Sequence, residues 1–251
     1  MISDGMADAL RSLRLGGGDP ALVCMRALGA EGVALSLLVG EDRAAEPLWC
    51  RPGPSERFEE LQFTLGEGPG PDAARTGLTV LEPDLRRVHP GRWPVLLPLA
   101  REMGVHGVCC FPLGVGAIRV GVLTVLCDKD RRLSEQQCAD ATALAAALTG
   151  AFLNVEQRGG ASGGGNVSGL GMVLQWPSGL HRAVVHQATG MISVQLGVPM
   201  DVALLRLRAH AYGSERPLGE VAEDVVARRL RFNDDFDDDK SGLYSPDGGK
   251  G

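Results

Sequence analysis

Over the first 158 residues, short apolar, β-branched runs alternate with stretches whose apolar residues recur every three or four positions. Residues 32–40 (GVALSLLVG), 47–50, 78–81, 105–112 and 118–127 are apolar and bounded by Gly, Pro or Asp, which predicts strands. Residues 7–15, 19–30, 72–76 and 92–103 carry helical spacing. The brief turn 114–117 joins the last two strands, so the pattern predicts an α+β domain with an antiparallel sheet and flanking helices. A long helix is expected over 134–158, with Ser134 capping it while Gln137 reaches back as in a capping box. Its apolar stripe is Ala141, Leu144, Leu148, Ala151 or Phe152, and Val155. Such a stripe suits packing on the domain's own sheet, and a parallel dimer helix is the other reading.

Residues 159–179 carry no charge and open with a Gly/Ser tract. A coil of that composition reaches roughly 20 Å, so it reads as a flexible linker between the N-terminal domain and three short amphipathic helices over 180–232. The first helix is expected over 181–196, burying Leu180, Val184, Ala188, Met191 or Ile192, and Gln195 or Leu196, and ending at Gly197. Pro199 opens the second, which buries Ala203, Leu204, Leu207 and Ala211. Gly213 ends it and Pro217 opens the third, with Leu218, Val221, Ala222, Val225, Val226 and Leu230 as its buried face. Each is too short to be stable alone, so the three pack together. Ala188 and Gly190 read as small residues that let a neighbouring backbone approach. Residues 233–251 contain six Asp and are expected to be disordered.

Composition narrows the class. With 251 residues, 44% hydrophobic and 22% charged, the chain reads as soluble and globular. It has neither a long uncharged apolar window nor a basic, apolar leader, so a cytoplasmic protein is expected. The six cysteines show no CxxC and no metal-ligand spacing, and are expected reduced, mostly as small buried hydrophobes. A net charge of −6 hides an asymmetry: residues 180–232 hold seven Arg against five Asp and Glu, between acidic neighbours. That is a modest nucleic-acid signal. No P-loop, GxSxG or HExxH is present, and Gly66-Glu67-Gly68-Pro69-Gly70 lacks the following Lys-Ser/Thr, so it reads as a turn. An enzyme is therefore the least favoured class.

Residues 10–158 resemble a GAF domain, on the strand GVALSLL, the segment Phe63-Thr-Leu-Gly-Glu-Gly-Pro-Gly70 leading into a helix, and the pair VCCFPL and RVGVLTVLC. The resemblance implies a sensor for an unknown small molecule or protein signal, with a pocket between sheet and helices. Trp49, Phe63, Trp93 and Cys110 are its candidate lining. No cofactor is implied; His106 reads as structural rather than as a haem ligand. Cys109 and Cys110 point to opposite faces of one strand and cannot easily bridge each other.

Residues 180–232 resemble the ANTAR domain, an all-α three-helix RNA-binding module of bacterial antitermination regulators. The matching residues are Gln187-Ala188-x-Gly190-Met191, Val202-Ala-Leu-Leu-Arg-Leu-Arg208 with Ala211, and Arg216-x-Leu218-x-x-Val221-Ala222. The resemblance implies an actinobacterial-type GAF–ANTAR regulator, dimeric and without a membrane, that binds hairpins in nascent transcripts as an antiterminator. Gln187, Thr189 and Gly190 would line the contact surface, Arg206, Arg208 and Arg216 would meet phosphates, and Tyr212 would stack on an unpaired base. The family's usual Lys or Arg between the Ala and Gly of the first helix is here Thr189. That substitution favours a rival reading, in which the bundle docks a protein instead of RNA. A DNA-reading helix-turn-helix ranks lower, because Glu220, Glu223 and Asp224 crowd the third helix.

Overall fold

The computed structural model describes residues 1–16, 18–39, 44–51, 53–128, 132–159 and 182–233. Within the expected linker 159–179 and tail 233–251, all but Gly159 and Asn233 lie outside the described residues. The chain divides into two compact units, Met1–His181 and Arg182–Gly251.

The first unit runs α1 (Asp4–Arg14), α2 (Pro20–Leu28), β1 (Gly32–Val39), β2 (Ala44–Arg51), α3 (Gly53–Leu65), α4 (Pro69–Thr76), β3 (Val80–Glu82), a 3-10 turn at Leu85–Arg87, α5 (Leu96–Glu102), β4 (Gly107–Val115), β5 (Ile118–Cys127) and α6 (Glu135–Gly159). The strands form a five-stranded sheet in the order β2-β1-β5-β4-β3, every neighbouring pair antiparallel. The central strands read as unbroken apolar runs because helices cover both faces. Cys109, Phe111, Leu113, Leu123 and Val125 enter a core shared with Met6, Leu13, Leu28, Leu144 and Leu148 of α1, α2 and α6. Val108, Cys110, Val122 and Leu126 enter another, with Phe58, Trp93, Leu96 and Leu97.

Helix α6 packs Ala141, Leu144, Ala145 and Leu148 on its own sheet, which is the first of the two expected readings. Its start is a reciprocal cap: Ser134 N–H donates to Gln137 Oε1 at 2.8 Å, and Gln137 N–H donates to Ser134 Oγ at 3.2 Å. Several elements differ from the sequence pattern, three of them for reasons the structure shows. Helix α3 was not foreshadowed, because its buried face mixes Phe58 and Phe63 with Ser55, Glu59 and Gln62, which hides the apolar period. Helix α5 is shorter than 92–103: Pro94 disfavours the helical conformation at Trp93, and the chain becomes helical only at Leu96. There Glu67 Oε1 accepts the N–H groups of Val95 and Leu96 at 2.9 and 2.8 Å. Strand β3 begins at Val80, leaving Leu78 exposed. Pro47 is tolerated within β2 because that strand is a sheet edge whose register shifts opposite Leu35 and Ser36.

The second unit comprises α7 (Ala183–Leu196), α8 (Met200–Gly213) and α9 (Leu218–Val226), packed on one another. Helix α8 buries the expected Ala203, Leu204, Leu207 and Ala211. Helix α7 is turned by about one residue from the expected face, burying Val185, Ala188, Thr189 and Ile192. Helix α9 stops at Val226 rather than continuing to Leu230. Arg228 takes φ +59°, and the N–H groups of Arg229 and Leu230 turn back to the Asp224 carbonyl at 2.8 and 3.1 Å. The chain then folds back: Phe232 N–H donates to Gln195 Oε1 at 3.0 Å, and its ring meets His210 edge-on at 5.4 Å. No single helix among the described residues is long and apolar enough to cross a membrane.

Candidate nucleic-acid interface

The outer face of α7 carries Gln187, Gly190 and Val194 at helical spacing. Gln187 is exposed and Val194 is 85% exposed. A Cβ built on Gly190 meets nothing within 4 Å. Gly190 is therefore not the packing glycine that the sequence suggested; it leaves a bare strip of backbone between two exposed side chains. Thr189 is not on this face. It is fully buried, and its hydroxyl donates to the Val185 carbonyl at 2.7 Å. That hydrogen bond and the rotation of α7 remove it from the expected surface beside Gln187 and Gly190.

On α8, Tyr212 in the last turn is 61% exposed, while Arg206 and Arg208 are half-buried. Arg216 lies exposed in the turn before α9 and donates to Asp224 Oδ2 at 2.8 Å. Arg229 donates through Nε to Oδ1 of the same carboxylate at 2.7 Å. Hydrogen bonds from Arg216 and then Arg229 hold the Asp224 carboxyl below its usual range. One acid thus fixes two guanidinium groups, from before and after α9, beside each other. The sequence pattern, which carries the third helix on to Leu230, hides the pairing. Only the early stop of α9 and the reversal at Arg228 bring Arg229 back to Asp224.

The residues suggested for the sensor pocket do not converge. Trp49 is half-buried against the core beneath α1, α2 and α6, whereas Trp93 and Cys110 belong to the core on the opposite face of the sheet. Phe63 is buried on α3. Trp93 is 2% exposed, its Nε1–H donates to Asp72 Oδ2 at 3.3 Å, and the Arg92 guanidinium lies 4.3 Å over its ring. Next to them runs a buried polar chain. Ser36 Oγ donates to Glu59 Oε2 at 2.7 Å, Gln62 Nε2 to Glu59 Oε1 at 3.1 Å, and Gly70 N–H to Gln62 Oε1 at 2.7 Å. This chain explains Gly66–Gly70 as structural. Gly68 holds φ +137°, and a Cβ there would lie 2.6 Å from Gln62 Oε1. Burial foremost, then the nearby Glu59 carboxylate, pushes the Cys110 thiol well above its usual value, so it stays protonated. An open groove of about 480 Å³ lies elsewhere, between α1 and α2, bordered by Asp8, Ser12, Asp19 and Arg26.

Residues 21–152 match the GAF domain model and residues 180–226 match the ANTAR domain model. The GAF match covers more than half of the sequence, so the chain belongs to the GAF domain family; it also carries an ANTAR domain. Both are regulatory domains: GAF a signal-sensing one, ANTAR an RNA-binding one. Solved structures similar to the chain include the GAF domain of a phosphoenolpyruvate-protein phosphotransferase from Coxiella burnetii, at 17% identity, covering 63% of this chain and 99% of that one, with a TM-score of 0.46. The GAF domain of an Acinetobacter phosphoenolpyruvate-protein phosphotransferase is 13% identical over 66% and 100%, with a TM-score of 0.46. A free methionine-R-sulfoxide reductase from Neisseria meningitidis, solved with its substrate, is 19% identical over 62% and 95%, with a TM-score of 0.41. No curated protein matches the chain.

Proposed function

We propose that this protein is a signal-responsive transcription regulator of the GAF–ANTAR kind, which binds RNA hairpins through α7–α9 and acts as an antiterminator. The observation that carries the reading is that the ANTAR-matching helices form a separate unit exposing Gln187, Tyr212 and the Arg216–Asp224–Arg229 cluster. Two guanidinium groups held side by side suit adjacent phosphates. An exposed tyrosine at a helix end suits stacking on a base splayed from a loop. In this reading Gln187 and the bare backbone at Gly190 meet the RNA, and Arg206 and Arg208 add charge from the flank of α8. Thr189 contributes packing only.

The GAF domain senses a small molecule or protein signal and shifts the population of RNA-competent bundles. A homodimer in the cytoplasm would present two bundles to two hairpins of one transcript, raising the effective concentration of the second contact. One observation favours protein docking instead: Val194 and Leu205 are 85% and 62% exposed on the same unit.

Binding of the full chain to hairpin-bearing transcript leaders at two salt concentrations separates these readings. Under the RNA reading affinity falls steeply with salt, and Arg216→Ala weakens all hairpins and lowers the salt slope by about 1. Tyr212→Ala costs about 1–3 kcal/mol with the slope unchanged. Affinity for hairpins no greater than for duplex of equal charge would sink it and favour the docking reading.

A further inference from the structure

Beneath the sheet face covered by α1, α2 and α6 lies a pair of thiols that the regulatory reading does not use. Cys109 Sγ and Cys127 Sγ are 3.7 Å apart and share a hydrogen, either able to donate it. The register explains the approach. Cys109 faces Val125 and Gly107 faces Cys127 across β4 and β5, so the two cysteines are diagonal neighbours on the same face. Both belong to the same core and both are free thiols. Cys110, next in sequence, points to the other face and donates to Thr124 Oγ1 at 3.7 Å. Cys127 is also the last residue of β5, where the strand can open locally without unzipping the sheet.

We infer that Cys109 and Cys127 are a reversible oxidation site at which a small hydroperoxide closes an internal disulfide. The two thiols are chemically unequal. The hydrogen bond from Cys109, and further along the Leu133 N–H, lower the Cys127 thiol against the opposing effect of burial. Donation to Cys127, reinforced by burial, raises Cys109. Cys127, at the end of β5 where the strand can open, is the attacking thiolate, and Cys109, inside β4, is the thiol that resolves it. Cys127 Sγ attacks one peroxide oxygen; the O–O bond breaks, and the leaving oxygen takes the proton held by Cys109. That step leaves a sulfenic acid on Cys127 and a thiolate on Cys109. The Cys109 sulfur then attacks the Cys127 sulfur, the S–O bond breaks, and the leaving hydroxide takes up, through solvent, the proton that Cys127 gave up on becoming a thiolate. In sum two thiols and one hydroperoxide give one disulfide, one alcohol (water, from hydrogen peroxide) and one water, with two electrons passing from sulfur to oxygen. The sulfurs must close from 3.7 Å to about 2.0 Å, and because diagonal cross-strand neighbours stand about 7–8 Å apart, closure also draws on backbone movement at the end of β5.

The site has a structural consequence. The Leu133 N–H, one residue before the Ser134 cap of α6, acts on the Cys127 thiol, so a disulfide changes the charge beside the start of that helix.

The test is hydrogen peroxide treatment of the reduced full chain under native conditions, alkylation of the remaining thiols, and peptide mapping without reductant. The inference expects peptides 102–119 and 120–129 joined through Cys109 and Cys127, lighter by two hydrogens and released by dithiothreitol. In Cys109→Ser, a sulfenic acid persists on Cys127 and is trapped by dimedone. Cys138→Ser, at the half-buried thiol on α6, leaves the linkage unchanged. Joining of Cys127 to Cys138 or Cys50, irreversible oxygen addition to Cys127 in the unaltered chain, or a Cys127 that stays reduced would each overturn the assignment. Reaction of the half-buried Cys50 and Cys138 in the same sample shows that oxidant was sufficient.

Discussion

Gly190→Ala separates the packing role that the sequence suggested from the open surface that the structure presents. The residue lies inside α7, its φ is not in the left-handed region, and a Cβ would meet nothing within 4 Å. A mid-helix glycine is less favourable than alanine by about 0.5–1 kcal/mol, because it loses more backbone entropy on folding. With no clash to offset that gain, the substitution stabilises the α7–α9 unit by about the same amount. Hydrogen exchange of the full chain reads the effect directly: amides of α7–α9 exchange about two- to fivefold more slowly, while those of the sheet are unaffected. The same variant tests the proposed interface. If RNA approaches the bare backbone beside Gln187, the new methyl weakens hairpin binding although the fold has become more stable. Faster exchange in α7–α9 would refute the open-surface reading and restore the packing glycine. Slower exchange with hairpin affinity intact would remove Gly190 from the interface.

Other outcomes test other parts of the molecule. Leu207→Ala removes a fully buried side chain from α8 at a cost of about 2–5 kcal/mol, so α7–α9 lose exchange protection while β1, β4 and β5 keep theirs. Loss of protection throughout the chain would contradict two separate units. Gln62→Ala strands the buried Gly70 N–H and should cost about 1–3 kcal/mol, read as a lower urea midpoint by near-ultraviolet circular dichroism. Gly68→Ala should cost less in that background than in the parent chain, since the contact with Gln62 Oε1 is gone; equal costs would mean that the two sites do not touch. Asp140 accepts from Ser3 N–H at 2.8 Å and from Ser3 Oγ at 2.6 Å, tying the start of α1 to α6. Burial alone would raise its carboxyl, but the hydrogen bonds from Ser3 and Gln136 outweigh burial and lower it. Its contribution is therefore complete above the ordinary carboxyl range and lost as the pH falls through the depressed value. Asp140→Asn should abolish that acid-side loosening of α1; an unchanged acid profile of exchange in residues 4–14 would count against the tether.

The elements whose signal is local were legible in the chain. The Ser134–Gln137 cap, the apolar runs of β1, β4 and β5, and the buried face of α8 each follow from neighbours a few residues apart, so periodicity and capping chemistry determine them. The two domain families were legible for the same reason, since short contiguous motifs carry them. What only the tertiary structure decided involves partners far apart in sequence. Helix α3 hides its inward face because Glu59 and Gln62 are satisfied by Ser36 and Gly70, which no local pattern announces. Sheet topology sent Trp49 and Cys110 to opposite cores and brought Cys109 against Cys127 through the β4–β5 register. In the second unit a rotation of α7 by one residue buried Thr189 and bared Gly190, and the early stop of α9 returned Arg229 to Asp224. Sequence spacing sets which residues share a helix face; which face turns inward is decided by the apolar surface of the neighbouring helices, and that exists only once they have packed.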